Sequence, residues 1–281
     1  MKHAWKRIVA ALALLSAAAA APAAPPDGRC ILPPGEENFE KRTVTLPGGA
    51  ELTLAWIEDC KMGIGEAAKE AALRAMVPKL FEKSGAPPKE PVWMTVDGFW
   101  IGVCEVTQKQ WESVMGTNPS YFRGEEFPVA SKRAELPVES VSWEDCMEFC
   151  RRTGLRLPTE MEWLVARAVV REYAGTPWSW TARNSENRTH PVGRSAAGTT
   201  GLYDMAGNVC EWCSDWSGAW PEASATNYAG PATGTERVVC GGCWCGDDWF
   251  DIRRQNDRLS LPPASRYNNV GFRVCLTPSA E

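Results

Sequence analysis

Histidine is almost absent from this chain: two in 281 residues, His3 and His190. His3 sits in an N-terminal stretch that reads as a processing signal, which leaves His190 alone. One imidazole cannot build a multi-histidine iron centre, and it offers no base for a Ser-His-Asp or Cys-His nucleophile. In its Thr-His-Pro setting it reads as a surface loop residue. Positive charge is also short, with 30 Lys and Arg against 35 Asp and Glu and a net charge of −5. That balance argues against nucleic acid as a partner. No apolar run after the first residues is long enough to cross a bilayer. No lipobox precedes Cys30, and no internal repeat is visible.

Lys2, Lys6 and Arg7 form a basic start, Ile8 to Leu15 a short apolar run, and Ala21-Pro22-Ala23 a small-x-small cleavage site. This is the pattern of a secretory signal. The reading divides the chain into a signal at residues 1–23, a Pro- and Gly-rich leader at 24–42, one domain at 43–277 and a tail at 278–281. Removing the signal takes the net charge to −8, and the mature protein is expected to be secreted or periplasmic. All 11 cysteines lie beyond the signal. In an oxidising compartment most should pair, and an odd count leaves at least one thiol unpaired or shared between chains. Tryptophan is abundant at 14 residues, enough to fill a core or to face a ligand.

Two apolar runs flank Pro47-Gly48-Gly49 between Thr43 and Ile57, a hairpin signal. Glu66 to Lys83 has helical periodicity. Val92 to Val106 is strand-like. Three helix starts follow, at Thr107-x-x-Gln110, Ser142-x-x-Asp145 and Thr159-x-x-Glu162; the first and third carry the full capping-box residues. The second helix should stop at Gly154, with Cys146 and Cys150 one turn apart on one face. From Arg171 onward short strands and turns dominate. The class is α+β.

Three cysteines crowd into the stretch CGGCWCGDDW at residues 240–249. Cys210-x-x-Cys213 together with Cys240-x-x-Cys243 has the spacing of a four-thiolate zinc site; in an exported chain disulfides are the first expectation, with structural zinc and free buried thiols as the alternatives. Arg156, Glu160, Glu162 and Arg167 around the third helix start read as a structural ion-pair network. Asp247, Asp248, Trp249, Asp251 and Arg253 either line a groove or form a solvated loop.

Six strings carry a resemblance when taken in order. They are GFWIGVCEVTQ at 98–108, WESVMGTNPS at 111–120, PVESVSW at 137–143, RLPTEMEW at 156–163, GLYDMAGNVCEW at 201–212 and GFRV at 271–274. The series resembles the sulfatase-modifying-factor family of formylglycine-generating enzymes, from about Val44 to Leu276. The resemblance implies the formylglycine-generating-enzyme fold, C-type lectin-like and low in regular secondary structure. It also implies copper- and oxygen-dependent oxidation of a cysteine in a sulfatase Cys-x-Pro-x-Arg sequence. Non-catalytic binding proteins share the fold, so fold does not settle function.

The family's Gly-Gly-Ser-aromatic block falls on Gly241-Gly242-Cys243-Trp244. Its two copper cysteines fall on Gly246 and Asp251, and its active-site tryptophan on Cys210. Neither Gly246 nor Asp251 offers the soft thiolate that Cu(I) selects. A shifted catalytic pair, Cys243 and Cys245, is the alternative. The resemblance further implies a Ca²⁺ loop at Asp204, Gly207, Val209 and Glu211, whose oxygen donors suit a hard cation. Related proteins also tie the second helix to the last strand, which pairs Cys150 with Cys275, one residue out of register. The expectation is a pseudoenzyme or binding module for a protein or peptide ligand, against an oxidase with a displaced site.

Overall fold

The computed structural model describes residues 40–64, 92–123, 134–170, 179–194, 201–246 and 259–278. The signal, most of the leader, the expected helix at Glu66 to Lys83 and the segment 247–258 lie outside the described residues. Within them the Pro47-Gly48-Gly49 turn joins β1 (Lys41–Thr45) to β2 (Glu51–Ile57) as an antiparallel hairpin. Gly48 and Gly49 both have φ near +85°, and a Cβ on Gly48 would lie 2.2 Å from the Ser113 carbonyl oxygen. Only glycine meets both demands without strain.

β3 (Cys60–Ile64), β4 (Val92–Val96) and β5 (Phe99–Gly102) follow, then helices α1 (Gln108–Met115), α2 (Trp143–Thr153) and α3 (Glu160–Val170). The second half supplies β6 (Cys210–Trp216), β7 (Ala225–Thr226), β8 (Arg237–Cys240), β9 (Leu259–Leu261), β10 (Val270–Gly271) and β11 (Cys275–Leu276). They form three small sheets: β1-β2-β5-β11, β10-β6-β8-β9 and β3-β4-β7. Short strands paired over long sequence separations, with the three described helices between β5 and β6, match the α+β expectation.

The helix starts behave as their sequences dictate. Thr107 and Gln110 exchange side-chain and backbone bonds in a capping box, and so do Thr159 and Glu162. The second start differs from expectation. Asp145, although one methylene shorter than the usual Glu or Gln, reaches the Ser142 N–H at 2.9 Å and completes the box. Helix α2 ends at Gly154, in the left-handed region at φ 71°.

Two apolar clusters fill the interior. Phe99, Ile101, Met161, Trp163 and Met205 lead one. Trp111, Phe149, Trp212 and Phe272 lead the other, with Trp111 stacked on Phe149 at 5.6 Å and Phe272 edge-on to both. Burying each such ring contributes roughly 2–3 kcal/mol. Strand β6 divides the clusters, because Trp212 faces one and Cys213 the other.

The ion pairing expected at α3 is present between Arg156 and Glu162. Arg156 makes a bidentate pair with Glu162 at 2.7 Å. Arg167 instead donates to the Met205 carbonyl beneath the Trp163 ring. The buried Glu160 donates its backbone N–H to Asp215 at 2.9 Å.

Candidate functional site

The six-residue spread of Cys240, Cys243 and Cys245 is resolved by a change of backbone direction. Cys240 ends β8 opposite Glu211 of β6. Gly241 then takes φ 81°, and the chain leaves the strand. Cys243 therefore lands among the second cluster while Cys240 stays in the first. On β6, Cys210 and Cys213 are three residues apart and so face opposite sides. The four cysteines form two separate contacts, Cys210 with Cys243 and Cys213 with Cys240. Among the described residues no group of three or more His, Cys, Asp or Glu side chains is placed to hold a metal ion. The ten described cysteines are all thiols here.

Cys243 and Cys245 come together on a turn. A turn closed by the Gly246 N–H on the Cys243 carbonyl, at 3.1 Å, carries them. Their Sγ atoms lie 3.4 Å apart. Asn269 offers its Nδ2 to both, at 3.5 Å and 3.4 Å. Cys243 is 7% exposed, whereas Cys245 is exposed. The Cys210 hydrogen bond, with help from Cys245 and Asn269, drives the Cys243 thiol well below its ordinary range despite burial. Burial and the neighbouring Cys243 charge raise Cys245.

The turn is fixed on three sides. Trp244 donates its backbone N–H to Asn208 at 2.8 Å and its indole N–H to the Asn268 carbonyl at 3.0 Å. Ser185 Oγ donates to the Trp244 carbonyl at 2.7 Å, and the Ala182 N–H donates to that of Gly246. Phe122 meets the Trp244 ring edge-on at 5.2 Å, and Tyr121 meets Phe122 at 4.9 Å. Tyr121 is 70% exposed, and Tyr267, two residues before Asn269, is 50% exposed.

The expected copper pair does not fit this geometry. Gly246 has no side chain, and Asp251 lies outside the described residues. Two sulfurs opposed across a metal stand about 4.6 Å apart, twice a metal–thiolate bond of about 2.3 Å. Cys243 and Cys245 are in thiol–thiol contact instead.

The expected calcium loop is likewise committed elsewhere. Both Glu211 carboxylate oxygens accept from Arg273, at 2.6 Å and 2.7 Å, and one also accepts the Trp163 indole N–H at 2.7 Å. Both partners of the pair are fully buried. Arg273 spends its other donors on the Gly102 and Tyr203 carbonyls at 3.0 Å. Asp204 accepts the Gly193 N–H at 2.7 Å. Val209 gives its N–H to Glu105, and the backbone at Gly207 has φ 87°. Arg273 and Trp163 take three of the roughly four lone-pair sites on the Glu211 carboxylate, so a cation at this loop would share Glu211 with the guanidinium. Glu105, buried beside Asp204 and Glu211, is pushed well above the usual carboxyl range by desolvation and those charges.

His190 is not a surface residue. It is buried, stacked on Trp180 at 3.7 Å with its Nε2 2.8 Å from the Ser185 carbonyl. Asn208 and Asn269 were not singled out from sequence. Asn208, at φ 58°, is buried; its Oδ1 accepts the His190 N–H, and its Nδ2 donates to the His190 carbonyl and to Glu105. The Gly207-Asn208 turn dipeptide was its only local signal. Asn269 had none. Cys150 and Cys275, the pair implied by related proteins, are both buried and lie near the Arg156 charge. Asp247, Asp248, Trp249 and Arg253 lie outside the described residues.

Residues 34–278 match the sulfatase-modifying factor enzyme 1-like domain. A chaperone protein LppX of Paenibacillus barcinonensis is 31% identical over 216 residues, covering 54% of this chain and 71% of that protein. A formylglycine-generating enzyme of Thermomonospora curvata is 34% identical over 197 residues, covering 60% of this chain and 64% of that enzyme. The chain thus spans less than two-thirds of that enzyme's length. Treponema denticola variable protein 1 superposes with a TM-score of 0.68 at 27% identity, over 85% of this chain and 99% of that one.

Proposed function

The chain belongs to the sulfatase-modifying factor enzyme 1-like family, and from that premise we propose that it is an exported member that does not form formylglycine and acts as a binding module. The observation that carries this reading is the 3.4 Å contact of Cys243 with Cys245, with Gly246 at a family copper position. Sulfurs in contact share a proton; they do not stand open on two sides of a Cu(I) ion. The other half of the reading rests on the surface beside them. Exposed Tyr121 and Tyr267 near the edge-packed Phe122 and Trp244 offer amphipathic rings of the kind enriched where proteins meet protein or peptide ligands. Among the similar proteins, one carries the name chaperone and another variable protein, and neither name describes an oxidase. Export is supported by the basic-apolar-small pattern at the N-terminus.

The test is mass spectrometry of a Cys-x-Pro-x-Arg peptide incubated with the purified, Cu(I)-loaded chain and oxygen, with an aldehyde-trapping reagent as second readout. The peptide cysteine should stay unconverted. Aldehyde formation that disappears in Cys243→Ser or Cys245→Ser would replace this reading with an oxidase built on the shifted pair.

A further inference from the structure

The turn where the family's copper pair is missing presents sulfur chemistry of another kind. We propose that Cys243 and Cys245 form a thiol–disulfide exchange pair that reacts with organic disulfides, Cys245 being the entry thiol and Cys243 the resolving one. This goes beyond the binding reading and does not depend on it.

Exposure assigns the roles. Cys245 is exposed, while Cys243 is buried beneath it at 7%. An incoming disulfide can reach the first and not the second. The resolving step needs the two sulfurs to meet. They start 3.4 Å apart, so closing to a disulfide of about 2.05 Å moves each by roughly 0.7 Å, within the reach of side-chain rotation. The turn closed between Gly246 and Cys243 holds the two Cα atoms on one side of the chain. Asn269 Nδ2 reaches both sulfurs, so the same donor serves the attacking and the resolving sulfur as charge passes between them. The second cysteine contact lacks this access: Cys213 and Cys240 are 0% and 3% exposed. It is a structural contact by the same criterion that makes Cys245 a reactive one.

The step balances as an exchange. The pair begins with one proton on two sulfurs. Cys245 first passes its proton to Cys243 Sγ, 3.4 Å away, and the Cys245 thiolate attacks one sulfur of R–S–S–R′, whose S–S bond breaks as R′S⁻ leaves. Cys243 Sγ then attacks Cys245 Sγ, the Cys243–Cys245 bond forms, and the R thiolate departs. The one proton ends on a released thiol. The pair loses two electrons and the substrate gains them; no metal or external oxidant enters.

The experiment uses the full, reduced protein in two arms, one with glutathione disulfide and one with a peptide carrying an internal disulfide. Acid quenching, alkylation and mass spectrometry then map the bonds. A new disulfide between Cys243 and Cys245 is expected, with both halves of the substrate released as thiols. Cys243→Ser should stop at a stable mixed disulfide on Cys245, and Cys245→Ser should slow substrate reduction at least tenfold. Reaction in the peptide arm alone assigns a protein disulfide as substrate, and reaction in the glutathione arm alone a small one. The inference is overturned if neither arm reacts, if the new bond joins any other pair, or if Cys243→Ser accumulates no adduct. The wild-type mapping needs no variant to fold. Its failure leaves the aldehyde result untouched, and aldehyde formation is read on a different peptide by a different product.

Discussion

Replacing Glu211 with Gln separates two accounts of the same carboxylate. In the structure Glu211 is the counter-charge of a fully buried Arg273, through two bonds of 2.6 Å and 2.7 Å. Removing one partner of such a pair leaves a charge that neither water nor another ion neutralises, at a cost of about 3–5 kcal/mol. Gln keeps the shape and can still accept the Trp163 indole N–H, so packing loss is small and the cost is mainly electrostatic. Glu105 softens it: its carboxyl is driven up partly by the Glu211 charge, and without that charge it ionises more readily beside Arg273. The lower half of the range, about 3 kcal/mol, is therefore expected. For a domain of this size that is a fall of roughly 6–12 °C in Tm. The assay is urea and thermal unfolding of both proteins in a calcium chelator and again in millimolar calcium. The loss should appear in full in the chelator, and calcium should leave the wild-type Tm unchanged. A loss below about 1 kcal/mol in chelator, with a wild-type Tm that calcium raises and Glu211→Gln abolishes, would refute the reasoning and restore Glu211 as a calcium ligand.

Burial raises the Asp215 carboxyl from 3.8 to about 7. A group with a raised folded-state value contributes most below its ordinary range and loses that contribution as pH climbs through 7. Asp215→Asn should therefore gain on the wild type between pH 4 and pH 8, by roughly 4 kcal/mol at most, and a stability difference that is flat with pH would contradict this. Asp145→Ala breaks the reciprocal cap of α2 and the pairing with Arg266 at 2.9 Å and 3.0 Å. It should cost about 1 kcal/mol of unfolding free energy measured by urea titration, and a change under about 0.3 kcal/mol would deny the box.

Features written in adjacent residues were legible. The Pro47-Gly48-Gly49 turn announces itself by its own residue types, and the boxes at Thr107 and Thr159 close within four residues. Asp145 shows the limit even there, since its shorter side chain was discounted and the local turn still brought it within reach. Partnerships across the chain were not legible. Glu211 finds Arg273 62 residues away, a partnership that no local pattern around the loop announces. His190 is buried because Trp180 and Asn208 come to it. The cysteine spacing matched a zinc knuckle on paper, but spacing carries no face. Strand β6 turns Cys210 and Cys213 to opposite sides, and Gly241 sends Cys243 away from Cys240. Cys243 and Cys245 do meet, through a turn closed between Gly246 and Cys243.

The most direct test compares the native chain with a rebuilt one on the same Cys-x-Pro-x-Arg peptide, under Cu(I) and oxygen. The rebuilt chain carries Gly246→Cys, Asp251→Cys, Cys243→Ser and Cys210→Trp, which restores each family position where this sequence departs. A Cβ at Gly246 would sit 3.5 Å from Cys243 Sγ, so the new thiol at that position enters the site itself. The account predicts no aldehyde from the native chain and aldehyde from the rebuilt one. Turnover by the native chain that is lost in Cys245→Ser would contradict it.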